Sequence, residues 1–206
     1  MAEAKGRLSC QWRGFIREPW LPLACLPELP LGKGGPATVG PDLWQTTEGA
    51  KIDPLHPAKH PAVLVFVLTD CPIANLYAPE LGRLATAYAA KGVSFTVVYV
   101  DPELGADAAR KHAREFGLKG VALLDPSHSL AKRLGATVSP EAVVLAPGGK
   151  IAYRGRIDDR AVDFGKFKPK ASKRELRNAL DAVLAGKAVP VARTKAVGCI
   201  FRAEGS

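Results

Sequence analysis

Cysteine is scarce in this chain. Cys10, Cys25, Cys71 and Cys199 are the four in 206 residues, and no two stand in a CxxC spacing. That excludes the usual paired-ligand pattern of a structural zinc site. Four are also too few for a disulfide scaffold in a chain this long. Any apolar run of 18 residues is missing, so no segment reads as a membrane-spanning helix. Aromatics make up only 7% of the chain. In the most basic stretch, KFKPKASKR at 166–174, only Phe164 and Phe167 lie near the basic side chains. A nucleic-acid surface interleaves rings and cations more densely. The stretch reads as a solvated basic face, without a nucleic-acid partner. No phosphate-binding glycine loop is present, because GKGG at 32–35 follows no strand and GGK at 148–150 suits a hairpin turn. His56, His60, His112 and His128 show no spacing tied to a cysteine and are expected at the surface or at helix caps. No metal site and no cofactor site is read.

What is present is ordinary globular material. Hydrophobic residues are 47%, charged residues 24%, and the formal net charge is +9. The length suits one domain with a real core. Residues 1–36 carry no clean period and end in LGKGGP, a linker by composition. Within them WLPLACLPELPL follows Arg13 and Arg17, as the core of an export signal would. Three prolines and Glu28 interrupt it and Glu18 precedes it. The compartment, cytoplasmic or periplasmic, stays open. The expected organisation is a leader over 1–36, a compact domain over 37–187, and a tail over 188–206 that carries Cys199.

Periodicity builds the domain. PAVLVFVLT (61–69) is a continuous β-rich run, as a strand buried on both faces requires. Ile73, Leu76, Tyr77, Leu81, Leu84 and Tyr88 then trace one helical face that the Lys-Gly pair at 91–92 stops. Pro79 lies inside that helix. VSFTVVYVD (93–101) is a second buried strand. PELGADAARKHAREFG predicts a helix opening on Pro102 and closing on Gly117. VALLD (121–125) is a short strand and SHSLAKRLG a short helix. EAVVLAP and IAYRGRI flank GGK as a hairpin. SKRELRNALDAVLAGK (172–187) predicts an amphipathic helix with Ser172 and Glu175 as a capping box. AVPVARTKAVGCIF has no period and is expected as a strap over the surface. The alternation implies an α/β fold: a central, mostly parallel sheet with a C-terminal antiparallel hairpin and helices on both faces.

Cys71 stands where the first strand ends and the first helix begins. The thiolate is the reactive form of cysteine. A helix N-terminus offers free N–H groups and partial positive charge, both of which stabilise a thiolate. Pro72 suits the first helical turn, where its missing N–H costs nothing. Asp70 opposes a second negative charge nearby. The competing interpretation is a small buried apolar residue. In RGRIDDR (154–160), Asp158 and Asp159 among three arginines are expected in surface ion pairs. A carboxylate pair for acid–base chemistry is the sharper alternative.

Strand, cysteine, helix with an internal proline eight residues on, then Ser-Pro before a closing hairpin: this order resembles the thioredoxin fold. The extra strand–helix unit in GLKGVALLDPSHSLAKRLGA is similar to the redoxin and AhpC/TSA branch. The resemblance covers about residues 37–187. It implies a cis bond before Pro140, in TVSPEAVVL, and an outward-facing Cys71 sulfur close to it. It also implies a substrate-binding surface of Thr69, Pro72, Ser139 and Pro140. The second cysteine of a CxxC motif falls on Ala74. A disulfide on Cys71 must therefore be resolved by another thiol, and the resemblance turns attention to Cys199. The implied activity is that of an antioxidant or oxidoreductase, acting on protein thiols and disulfides or on small thiols and peroxides; a homodimer is compatible with it. A peroxiredoxin pattern is incomplete: Leu68, not threonine, stands three residues before Cys71, and Thr69 stands two before. Arg154 or Arg156 would have to approach from the last strand to supply the family's arginine. A non-catalytic or copper-binding redoxin-fold protein is the alternative function.

Overall fold

The computed structural model describes residues 43–201. The expected leader lies outside the described residues. Eleven short or medium strands and four helices are formed among those described. A small antiparallel hairpin of β1 (Trp44–Gln45) and β2 (Lys51–Ile52) opens the fold. The central sheet has the order β5-β4-β3-β7-β8. Its members are β3 (Ala62–Val67), β4 (Ser94–Tyr99), β5 (Val121–Leu124), β7 (Glu141–Leu145) and β8 (Ile151–Gly155). β3, β4 and β5 run parallel, while β7 and β8 run antiparallel to their neighbours. The sheet is therefore mixed, with the antiparallel part supplied by the expected hairpin. The Ala62–Val67 run sits in the middle and every residue of it is buried. Burying one such aliphatic side chain stabilises by roughly 1.5–3 kcal/mol, so a continuous apolar strand belongs here and not at an edge.

Two layers of side chains follow from strand alternation. Val63, Val65 and Val67 face α1 (Pro72–Ala89), α2 (Ala106–Phe116) and α4 (Glu175–Leu184). Leu64 and Phe66 face α3 (Ser129–Leu134), Trp44 and Phe201 on the other side. Between α3 and β7 lies β6 (Val138–Ser139), which pairs with β11 (Cys199–Ile200) near the end of the described chain. A second small hairpin, β9 (Ala161–Asp163) and β10 (Lys166–Phe167), projects after β8.

Several expectations are corrected. α2 opens at Ala106 after Gly105, not at Pro102. The Asp101 side chain accepts from Glu103 N, so Pro102 is absorbed in a turn. The capping box at Ser172 is not formed, because α4 begins at Glu175 without a side-chain cap. Asp159 takes the Ser172 and Lys173 N–H groups, and Arg156 takes the Glu175 carboxylate. The Ser172 N–H is drawn into a tertiary hydrogen bond and Glu175 into a tertiary ion pair, which together outweigh a local cap worth about 1 kcal/mol. The hairpins β1–β2 and β9–β10 are too short to leave a period in the sequence. His112 is buried inside α2, neither at the surface nor at a cap, while His128 stands at the N-cap of α3, one of the expected places, but is buried there. His128 has a left-handed backbone, and its ring shares a hydrogen bond with the Val100 carbonyl (2.6 Å).

Candidate active site

Cys71 is the N-cap residue of α1, with extended backbone, and Pro72 follows it as the first helical residue. The strand-to-helix reading of this stretch holds. The sulfur, however, faces inward. It is fully buried, makes no hydrogen bond to the helix N-terminus, and donates to the Ser139 carbonyl (3.0 Å). The expectation of an outward-facing sulfur is therefore corrected. The cause is the strap: residues 196–201 lie across the loop that holds Ser139 and close the space above it.

The expected neighbour is in place. The Ser139–Pro140 peptide bond is cis, and Ser139 bridges the two loops. Its hydroxyl accepts from Leu68 N (2.8 Å), while its carbonyl accepts from the Cys71 thiol. Pro140 is buried and Pro72 exposed. Thr69 is half-buried, and its carbonyl accepts from Asn75 Nδ2 (3.0 Å). Ala74, at the place of a second CxxC cysteine, is buried.

Cys199 meets this group from the opposite end of the chain. In the β11–β6 pairing Cys199 lies directly across from Ser139. Its thiol lies beside that of Cys71, close enough for the two to influence each other's charge, and both cysteines are free. Burial first, and then Cys71 and Asp70, push the Cys199 thiol up to about 12. Low polarity and nearby negative charge disfavour its thiolate.

Three contacts make the strap fit. At its start Arg154 N donates to the Ala192 carbonyl (2.9 Å) and Thr194 N to the Arg154 carbonyl (3.0 Å), extending the sheet past β8. At its end Phe201 is buried between Phe66 and His128, with ring centroids at 6.3 Å and 5.5 Å. In between, a Cβ on Gly198 would collide with the Ser139 carbonyl. Only glycine allows this approach. In the sequence Gly198 and Phe201 read as tail composition; the pairing that gives them meaning is not local.

A buried polar chain backs the thiol loop. Asn75 Oδ1 meets His112 Nε2 (2.9 Å), and His112 Nδ1 meets the Tyr99 hydroxyl (3.1 Å). Burial lowers the His112 pKa. The Asp158 and Asp159 pair is also buried, contrary to a surface role. Asp158 accepts from Tyr77 and Arg160, while Asp159 accepts from Lys168. Their separate partners leave no shared acid–base pair. Arg154 is bonded to the Leu134 carbonyl (3.0 Å) and lies beside Glu141, and Arg156 is paired with Glu175. Neither is bonded to Cys71, so the expected approach of an arginine from the last strand is not made. Among the described residues no three His, Cys, Asp or Glu side chains come together as a metal site, and no helix is long and apolar enough to cross a membrane.

A thiol at the mouth of the first long helix, facing a cis X-Pro loop at the edge of a mixed sheet, defines a thioredoxin-like α/β protein. The redoxin family pattern matches residues 34–167, and the chain belongs to that family. Cys199 and the strap lie beyond the matched stretch. Among solved structures, an uncharacterised conserved protein from Geobacillus kaustophilus is similar at 28% identity, with a TM-score of 0.66 over 80% of this chain and 89% of that one. A hypothetical protein from Sinorhizobium meliloti shares the fold at 23% identity, with a TM-score of 0.64 over 80% of this chain and 91% of that one. A putative thiol:disulfide interchange protein DsbE from Chlorobium tepidum shares it at 19% identity, with a TM-score of 0.53 over 69% and 92%. No curated protein matches the chain.

Proposed function

We propose that this redoxin is a thiol–disulfide oxidoreductase in which Cys71 is the nucleophile and Cys199 the resolving thiol. The observation that carries the reading is the contact of the two thiols across Ser139. A disulfide substrate RSSR is attacked by the Cys71 thiolate. The Cys71–S–S–R mixed disulfide forms and one RS⁻ leaves. Cys199 then loses its proton to that thiolate and attacks the Cys71 sulfur, forming the Cys71–Cys199 disulfide and expelling the second RS⁻. The protein gives up two electrons and its two thiol protons, that of Cys71 reaching the second RS⁻ through solvent, and RSSR becomes two thiols. Thr69, Pro72, Ser139 and Pro140 form the surface around the reacting sulfur in this reading. Residues 188–201 are then a working part of the protein and not an appendage to the 37–187 domain. Disulfide exchange is preferred to peroxide reduction because Arg154 and Arg156 are engaged elsewhere.

The test is oxidation of the full chain by hydroxyethyl disulfide, followed by alkylation and peptide mapping. The expected product is a Cys71–Cys199 disulfide that dithiothreitol reverses. Two cysteines that remain free and alkylatable after oxidant would sink the assignment and return the chain to a non-catalytic role.

A further inference from the structure

Next to the strap, on the side away from the sulfurs, lies an open cleft of about 620 Å³. Its walls are the β9–β10 hairpin, β6 and the strap itself. Gly198 and Ile200 line it, whereas Cys199 between them contacts Cys71. Strand alternation accounts for this division. One short segment is therefore a wall of the cleft and the cover of the thiol at once.

The cleft has an apolar floor and a basic rim. Val162, Phe164 and Ile200 line it and are exposed, Phe164 at 59% and Ile200 at 72%. Large apolar side chains grouped in this way mark a contact surface. Four cationic side chains stand around them. Arg156 and Lys168 are neutralised by Glu175 and Asp159. Lys173 and Lys195 make no ion pair among the described residues. Asp163, across the cleft, is the one lining carboxylate without a cationic partner. The surplus is positive, and the whole chain carries +9. A second copy would bring like charges face to face. A nucleic acid would have no use for a thiol pair, and the rings beside these cations are too few to stack bases.

We infer that this cleft is where the redox partner docks, and that the partner presents an extended segment with carboxylates flanking a large apolar residue near its cysteine. The inference rests on the thiol–disulfide reading and names the substrate class for that site. A segment seated here touches the strap, so docking and uncovering of Cys71 occur on the same residues. Positive charge around the cleft raises the encounter rate for acidic partners and lowers it for basic ones.

The experiment compares two blocked peptides, Glu-Phe-Cys-Glu and Lys-Phe-Cys-Lys, each as its symmetric disulfide, reacting with the reduced full chain. The acidic peptide is expected to react about tenfold faster at low ionic strength, with the difference shrinking as salt screens it. In Lys173→Glu/Lys195→Glu the ratio should invert, while Lys150→Glu, in the turn before the opposite end of β8, should leave it within about twofold. Failure of neutral hydroxyethyl disulfide to react would defeat the underlying function. Reaction with that reagent but equal rates for the two peptides would overturn the docking site alone. So would an equal loss of preference in Lys150→Glu, which would mark a net-charge effect. Tighter binding of a fluorescent single-stranded thymidine oligonucleotide than of the acidic peptide would assign the cleft to nucleic acid and overturn the inference. A dimer in light scattering that the same charge reversals dissolve would do the same.

Discussion

The two cysteines lie beside one another, yet they reach that place by different routes. Cys71 is placed by local structure: a six-residue buried strand ends, Pro72 opens an 18-residue helix, and the residue between them has little choice of position. Cys199 is placed by a two-residue strand whose pairing partner stands 60 residues earlier. The strand–helix junction is anchored in the larger of the two cores. The strap is held by edge hydrogen bonds, by Thr194 on Tyr153 and Arg156, by Ala196, Val197 and Phe201 against the two cores, and by the close approach of Gly198 to Ser139, and it adds no layer of its own to either core. Regions with few buried contacts open at lower free energy than core elements. The comparison teaches that this site has a rigid half and a removable half, and that the removable half covers the rigid one.

Cys71→Ser should abolish mixed-disulfide formation, whereas Cys199→Ser should let the mixed disulfide on Cys71 accumulate, both visible in intact mass after a disulfide reagent. Equal behaviour of the two variants would erase the distinction between nucleophile and resolving thiol. Gly198→Val should push the strap off Ser139 and raise the native alkylation rate of Cys71 by more than about tenfold, with the sheet intact by circular dichroism. Phe201→Ala removes the far anchor. Truncating a buried phenylalanine costs about 3–5 kcal/mol in a closed core, and less here because a terminal strap can detach alone. The expected result is loss of amide protection confined to 196–201 and faster Cys71 alkylation. Global destabilisation with no local opening would show the strap to be part of the core.

Two smaller effects concern protons. Cys199, though half-exposed, should alkylate more slowly at pH 8 than a free cysteine, and Cys71→Ala should speed it by removing one cause of its raised pKa. A thiol that holds its proton more tightly when folded contributes stability below the unfolded value of about 8.5, and that contribution is lost as pH rises toward 12. His112 works in the opposite direction. Its folded pKa is lowered, so its contribution is present above about 6.5 and is lost as pH falls below it. Denaturant melts at pH 5 and pH 7 should show this loss in wild type and less of it in His112→Gln.

Much of the frame was legible in the sequence. The run Ala62–Val67, the helix after Cys71, and the hairpin around Gly148 and Gly149 carry their periods openly. The cis bond at 139–140 followed from the resemblance. The cap of α4 was misread because Asp159 and Arg156, both distant from the helix start in space before folding, compete for the same groups. The buried states of His112, Asp158 and Asp159 were not legible either. Nothing in RGRIDDR says that Tyr77 and Lys168 will arrive to satisfy its carboxylates.

By itself the sequence determined the long strands of the central sheet, the helices between them and the thiol that stands at the start of the first helix, because period, proline and glycine act within a few residues of one another. Only the tertiary structure decided that the thiol is covered, what covers it, and which second sulfur it meets. Those outcomes depend on an edge strand left open at Val138–Ser139 and on a tail able to pair with it, and pairing between distant edges is governed by shape and unmet backbone hydrogen bonds that no local pattern records.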